Sequence, residues 1–204
     1  MRLELDHLAV SAASLAEGAA AVEAVLGVTL APGGVHLHMG THNRLLSLGP
    51  GLYLEVIAVD PAGTRPAQPR WFDLDRFSGP PRLTNWICRT DDLDAALAAA
   101  PPGIGAAVAL SRGDYRWRIA VPPTGTLPYD NAHPALIQWL GPLHPAAALP
   151  DSSCRLRRLV VAHPDAGSLQ RSLAGLADPR VEIVAGERAI MAEIDTPSGL
   201  RVLR

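Results

Sequence analysis

The residues with chemistry to offer are seven histidines, an isolated glutamate in an apolar run and a set of arginines. His7 lies in Leu5-Asp6-His7-Leu8-Ala9-Val10 and Glu55 in Leu54-Glu55-Val56-Ile57. An imidazole and a carboxylate can ligate a divalent metal, or act together as a base and its orienting partner. A charge within an apolar strand is costly to bury unpaired, so Glu55 either faces a polar pocket or lies on a solvated face. His7 is either a pocket residue or a strand histidine satisfied locally. Strand alternation sends Asp6 to the opposite face, so His7 is expected to find its partners elsewhere. His42 follows Gly40-Thr41 at the start of a strand and is a candidate base, with Asn43 a candidate substrate donor or acceptor. His36 and His38, two apart, are expected on one strand face, either as a zinc-binding pair or exposed. Tyr115, Trp117 and Ile119 alternate with Arg116 and Arg118. If the cationic face lines a pocket, Arg118 can hold a substrate carboxylate by a two-pronged contact; a solvated face is the alternative. His133, just before Pro134, could reach a pocket rim. His144 and His163, beside prolines, are expected on the surface.

The elements that would position these residues recur. A short strand at Leu5–Val10 precedes a helical stretch from Ser11 to Gly27, with apolar residues at three-to-four spacing and glycine as its stop. Short sheet-forming runs follow at Val35–Met39, Asn43–Leu48 and Leu52–Val59, separated by glycine-rich turns. The same order returns with a strand at Thr84–Arg89 and a helix opened by Asp91-Asp92-Leu93-Asp94, whose acidic first turn suits the helix dipole. Strands at Ala106–Leu110, Tyr115–Val121 and Ala135–Leu140 complete it. A shorter third copy starts near Leu156, with a strand at Arg158–Val161, a helix at Asp165–Leu176 and strands ending at Leu203. Pro- and Gly-rich linkers at 60–82, around Arg70-Trp71-Phe72, and at 141–153 separate the copies. The expected class is α+β: repeated βαβββ modules forming a curled mixed sheet, with a third, shorter C-terminal module. The domain reading is a paired unit over 1–141 (modules 1–60 and 83–141) followed by 154–204.

Composition removes several function classes. The chain has 204 residues and a formal net charge of −2, with no dominant basic patch, so nucleic acid is not an expected partner. All 18 basic residues are arginine, which removes the lysine of a phosphate loop and any Schiff-base lysine. No glycine-rich dinucleotide fingerprint follows a strand, so no nucleotide cofactor is expected, and no G-x-S-x-G elbow is present. Cys88 and Cys154 lack metal-type spacing and read as free thiols of a reducing compartment, with Cys88 buried in a strand. No apolar stretch is long enough to span a bilayer, and the acidic N-terminus is unlike a signal peptide. The expectation is a cytoplasmic protein without a membrane partner.

Asp6-His7-Leu8-Ala9-Val10, then Gly40-Thr41-His42-Asn43-Arg44-Leu45-Leu46, then Tyr53-Leu54-Glu55-Val56-Ile57-Ala58 resembles the first module of glyoxalase-like proteins of the vicinal oxygen chelate superfamily. Pro134-Ala135-Leu136-Ile137-Gln138-Trp139 is similar to the strand closing the second module. The resemblance implies a half-open barrel around a pocket, with metal ligands on the first and last strands of each module. Carried over residue by residue, it implies His7 and Glu55 as ligands, with His42 a third ligand or base and Glu55 also a catalytic candidate. Zn²⁺, Fe²⁺, Mn²⁺ or Ni²⁺ would suit such donors. Asn85 and Gln138 fall at the second-module positions, where neutral amides depart from the pattern and suit hydrogen-bonding a polar substrate. The implied functions are a metal-dependent lyase, isomerase or dioxygenase-type enzyme acting on vicinal oxygens, or a metal-free protein that binds or sequesters a small molecule. Together with the residue readings above, the candidate substrate-binding set is Asn43, Asn85, Arg118, His133 and Gln138. Pairing into a homodimer is left open.

Overall fold

The computed structural model describes residues 2–204. The first module comprises β1 (Glu4–Ser11), α1 (Leu15–Leu26), β2 (Ala31–His36), β3 (Thr41–Ser47) and β4 (Tyr53–Val59). The second comprises β5 (Arg82–Arg89), α2 (Leu93–Ala99), β6 (Ala106–Arg112), β7 (Tyr115–Val121) and β8 (Ala135–Trp139). Their strands form one curled eight-stranded sheet in the order β2-β3-β4-β1-β5-β8-β7-β6. In each module the first strand pairs parallel with the last, β1 on β4 and β5 on β8. The antiparallel β1–β5 pair joins the two halves. The edge strands β2 and β6 approach each other, bringing the half-barrel close to closure.

Local chemistry explains the elements that hold the site. In α1, the Ser14 hydroxyl accepts from the Glu17 amide at 3.2 Å, and Gly27 ends the helix at φ 70°, where a side chain would be strained. The buried face of α1 (Gly18, Ala19, Val22 and Leu26) covers the sheet, and a Cβ at Gly18 would collide with Ala12 and Val56. In the first linker, Trp71–Arg76 forms a 3₁₀ turn, interrupted by left-handed Phe72 and Asp73, that buries Trp71, Phe72 and Leu74. In the second, α3 (Pro145–Ala148) packs Ala146 and Leu149 on Leu45 and Tyr53.

The second strand differs from its expected range: it runs Ala31–His36, and Leu37–Gly40 is a turn. An edge strand tolerates Pro32 and two glycines through a register shift between Pro32 and Val35. Gly33 is required there because a Cβ would collide with Asn43 of β3.

The C-terminal elements repeat the order but not the pairing. β9 (Arg155–His163), α4 (Ala166–Ser172), β10 (Val181–Ala185), β11 (Ala189–Thr196) and β12 (Gly199–Leu203) form a separate sheet, β10-β9-β11-β12. Here the first strand pairs with the second and third, and β12 is left at the edge. This sheet docks on the first through Arg188, which donates to the Thr84 carbonyl at 2.6 Å, and through a Leu83 amide to Arg204 carbonyl bond of 2.9 Å. Apolar residues of both sheets, Leu8 and Trp86 with Leu159 and Ile190, belong to one continuous core.

Candidate functional site: an ion pair in an aromatic pocket

The site starts from an irregularity in β1. Leu5 pairs with Cys88 but His7 pairs with Ile87, so Asp6 is an extra residue opposite β5. Such a bulge suspends alternation and re-aims side chains. Asp6 and His7 therefore meet, with His7 Nδ1 donating to Asp6 Oδ1 at 2.6 Å, which corrects the expectation that Asp6 points away. Asp6 is fully buried, and its other oxygen accepts from Trp139 Nε1 at 3.0 Å and His144 Nε2 at 2.9 Å. His144 is thus a support of the site and not a surface residue; its Nδ1 accepts from the Ala146 amide, which leaves the proton on Nε2.

On the other side of the imidazole, His7 Nε2 faces Glu55 Oε2 at 3.5 Å. The Tyr53 ring stacks on His7 with centroids 4.4 Å apart. Glu55 Oε1 accepts from Asn43 Nδ2 at 2.5 Å. The side-chain oxygen Asn43 Oδ1 accepts from the Gly34 amide at 2.8 Å and from Arg112 Nη1 at 3.0 Å. His36 completes the cluster. Its Nδ1 donates to Thr41 Oγ1 at 3.0 Å, and its Nε2 accepts at 3.4 Å from Asn43 and from Arg112.

These contacts set the charges. Burial alone would deprotonate His7, but the bonds to Asp6 and Glu55 override it and raise its pKa from 6.5 to about 9. Burial would protonate Glu55, yet His7, His36 and Asn43 bring it from 4.5 down to about 2. Asp6 is likewise held well below the usual carboxylate range, against its burial, by His144 and His7. His36 is pushed from 6.5 to about 4, first by burial and then by the Arg112 and His7 charges, although Glu55 opposes this. At neutral pH the centre holds ionised Asp6 and Glu55, imidazolium His7 and neutral His36.

Around this polar end the pocket is aromatic: Tyr53, Trp71, Phe72, Trp117 and Trp139 line it, with Ile119 and Ile137. Its cavity volume is about 30 Å³, room for about one water and far below the roughly 300–1,000 Å³ usual for small-molecule sites, so the aromatic side chains largely fill the inner face of the sheet.

The structure brings together only part of the expected set. His7, Glu55 and Asn43 meet. His42 pairs with Val35 and Ala58, on the face of β3 away from Asn43, and does not line the pocket; its buried Nε2 has no partner among the described residues. Arg118 and Gln138 are cross-strand neighbours outside the pocket, because Trp117, Ile119, Ile137 and Trp139 take the inward positions. Arg118 pairs with Asp94 at 2.6 Å, and Gln138 donates to the Asp91 carbonyl of the α2 approach. Asn85 is fully buried beside Ala9, and neither of its amide atoms has a partner among the described residues. His133 is buried against Tyr129 with Nδ1 donating to the Pro134 carbonyl, and burial lowers its pKa to about 4. Neither Asn85 nor His133 lines the pocket. His38 is exposed in a turn and shares no strand face with His36. His163 is buried, its Nδ1 accepting from the Asp165 amide, and so is not a surface residue. The residues that sequence reasoning missed are Asp6, Arg112 and His144; the Asp6-His7 dipeptide was in view, but the bulge that joins it was not.

A metal fits this donor set poorly. Asp6 and Glu55 lie on opposite sides of the His7 ring and cannot converge on one ion. The inward second-module neighbours are Ile87, Ile119 and Ile137. Among the described residues no group of three or more His, Cys, Asp or Glu is placed to hold a metal ion.

The curled sheet of paired βαβββ modules, with its pocket on the inner face, is the architecture of the vicinal oxygen chelate superfamily. A glyoxalase-like domain family model matches residues 5–177, and the chain belongs to that family. Among solved structures, a hypothetical protein from Staphylococcus aureus is similar at 13% identity and TM-score 0.56, over 95% of this chain and 81% of that one. A methylmalonyl-CoA epimerase from Mycobacterium tuberculosis matches at 19% identity and TM-score 0.44, over 71% of this chain and 91% of its own. A Streptomyces coelicolor methylmalonyl-CoA epimerase variant in complex with 2-nitronate-propionyl-CoA matches at 15% identity and TM-score 0.43, over 66% and 94%. No curated protein matches the chain. No helix among the described residues is long and apolar enough to cross a membrane.

Proposed function

We propose that the chain is a metal-independent small-molecule binding or sequestration protein. One observation carries this reading. His7 Nδ1 is held by Asp6 and Glu55 Oε1 by Asn43, so only His7 Nε2 and Glu55 Oε2, 3.5 Å apart, face one another: two donors, where a protein metal site usually supplies at least three. The pair instead orders one wall of an otherwise apolar pocket.

A second reading is the divalent-metal lyase, isomerase or dioxygenase-type enzyme implied by the family resemblance. It draws support from Asp6, since a carboxylate on Nδ1 is the arrangement that orients a ligating imidazole. It lacks further donors.

The test is a thermal-shift and tryptophan-fluorescence screen of small polar and apolar compounds in EDTA, repeated with added Zn²⁺, Mn²⁺, Ni²⁺ or anaerobic Fe²⁺. Saturable stabilisation in EDTA, with the compound recovered unchanged, supports binding. Stabilisation that needs the metal, or consumption of the compound, overturns it.

A further inference from the structure

Residues 141–150, which include α3, lie across Tyr53 and Leu45 as a strap. The inner cavity behind Tyr53 and Trp139 has room for about one water. Two larger grooves, of about 520 and 550 Å³, flank the strap; Trp139 lines the first, Leu45 the second, and Leu143 of the strap both. Little holds the strap down. Its ends are tied by the Leu140 amide to the Arg116 carbonyl at 2.8 Å and by Ser152 Oγ to the Ser47 carbonyl at 2.6 Å. Between these ties, among the described residues, a single hydrogen bond joins it to the rest of the chain, from His144 Nε2 to Asp6 Oδ2 at 2.9 Å. The same imidazole caps α3 at the Ala146 amide, so one side chain both starts the helix and pins it. Four residues of helix have no stability of their own. The apolar contact is small: Ala146 and Leu149 on Leu45 and Tyr53, in a cluster apart from the main core, and the His144 ring edge-on to Tyr53 and Trp139. Pro142, Pro145 and Pro150 carry no amide hydrogen to be paired again when the strap lifts. Asp6 keeps His7, Trp139 and, at 3.6 Å, Arg89 when His144 leaves, so lifting strands no buried charge.

We infer that residues 141–150 are a displaceable strap seated in the ligand's own place. It opens without unfolding of the domain, joins the two grooves into one cleft, and gives way to a molecule with a neutral N–H donor and an apolar body. The donor takes the position of His144 on Asp6, and the body takes that of Ala146 and Leu149 on Tyr53 and Leu45. This rests on the metal-free binding reading above, and it supplies the room that the inner cavity lacks.

The experiment places a thiol under the strap with Ala146→Cys and follows its alkylation by iodoacetamide at pH 8 in EDTA, read by peptide mass mapping. Cys88, fully buried in β5, is the internal reference for global unfolding, and Ala147→Cys, at an exposed position of the strap, is the reference for an open site. The thiol of Ala146→Cys is expected to react at least about a hundredfold faster than Cys88, at a rate flat in low guanidinium while that of Cys88 climbs steeply. Saturating 4-phenylimidazole is expected to speed it about tenfold further, with 1-phenylimidazole, which lacks the N–H, binding about tenfold more weakly. Should Ala146→Cys fail to fold, amide exchange of Ala147 against Cys88 in wild type gives the same reading. Reaction at the rate and guanidinium slope of Cys88, reaction as fast as in Ala147→Cys, or equal binding of the two isomers overturns the inference and leaves binding elsewhere intact. A strap that opens in a folded protein to which neither isomer nor any screened compound binds overturns the binding reading itself.

Discussion

If His7 is a buried imidazolium, stability must fall as pH rises from about 6.5 to about 9. The folded-state pKa of about 9 lies above the unfolded value of 6.5, so in that window the folded protein holds a proton that the unfolded chain has lost. The contribution is complete below 6.5 and lost through 9. A shift of this size is worth on the order of 3 kcal/mol, a substantial part of the 5–15 kcal/mol typical of a domain. The other buried groups do not confuse the window. His36 and His133, lowered from 6.5 to about 4, stabilise above 6.5 and withdraw that support only as pH falls toward 4. Glu55, lowered from 4.5 to about 2, acts more acidic still. Tyr53 and Cys88, both raised by burial, act only above the ordinary pKa values of 10 and 9. Stability should therefore peak near pH 6.5. The assay is guanidinium unfolding at intervals from pH 4 to 9, on wild type and on His7→Gln. Wild type is expected to lose stability steadily above 6.5, and His7→Gln to be less stable overall with a flat profile there. A flat wild-type profile between 6.5 and 9, or the same slope in His7→Gln, would refute the protonated ion pair.

Asn43→Ala removes the donor to Glu55 Oε1 and the acceptor for Gly34 and Arg112, and is expected to cost about 2–3 kcal/mol in urea unfolding at pH 7. Gly33→Ala puts a methyl into Asn43 and should destabilise by roughly 1–3 kcal/mol, read as a lower thermal midpoint with altered near-ultraviolet dichroism from the pocket aromatics. Arg118→Gln, whose partner Asp94 is exposed, is expected to leave both the thermal midpoint and probe binding unchanged; weaker binding would return Arg118 to the pocket. His42→Gln should likewise leave probe binding unchanged, since His42 faces away from the pocket; a loss would place it back in the site.

The paired modules were legible because hydrophobic runs, turn glycines and the helix stop at Gly27 report local structure directly. His7, Glu55 and Asn43 were legible for a related reason: polar groups inside apolar strands need partners, and the module order put their strands together. What escaped was register. Gln138 and Arg118 looked inward on a one-residue misreading of which face β7 and β8 present, and the alternative, an aromatic face of Trp117 and Ile119 turned inward, was equally compatible with the pattern. A strand's two faces are exchanged by a shift of one residue, and only pairing fixes the choice. The Asp6–His7 contact depends on a bulge that neither residue encodes by type. Arg112 had no alternation to mark it, because its role comes from the curl that brings β6 across to β2. His144 was misplaced for the same reason, since its partner Asp6 lies 138 residues away in the chain.

The most direct test of a metal-free pocket is calorimetric titration of EDTA-stripped, buffer-exchanged protein at pH 7 with Zn²⁺, Mn²⁺ and Ni²⁺, and anaerobically with Fe²⁺. The account predicts no stoichiometric binding, with wild type and Glu55→Gln giving the same baseline heats. One equivalent of tightly bound metal in wild type, lost in Glu55→Gln, would contradict it.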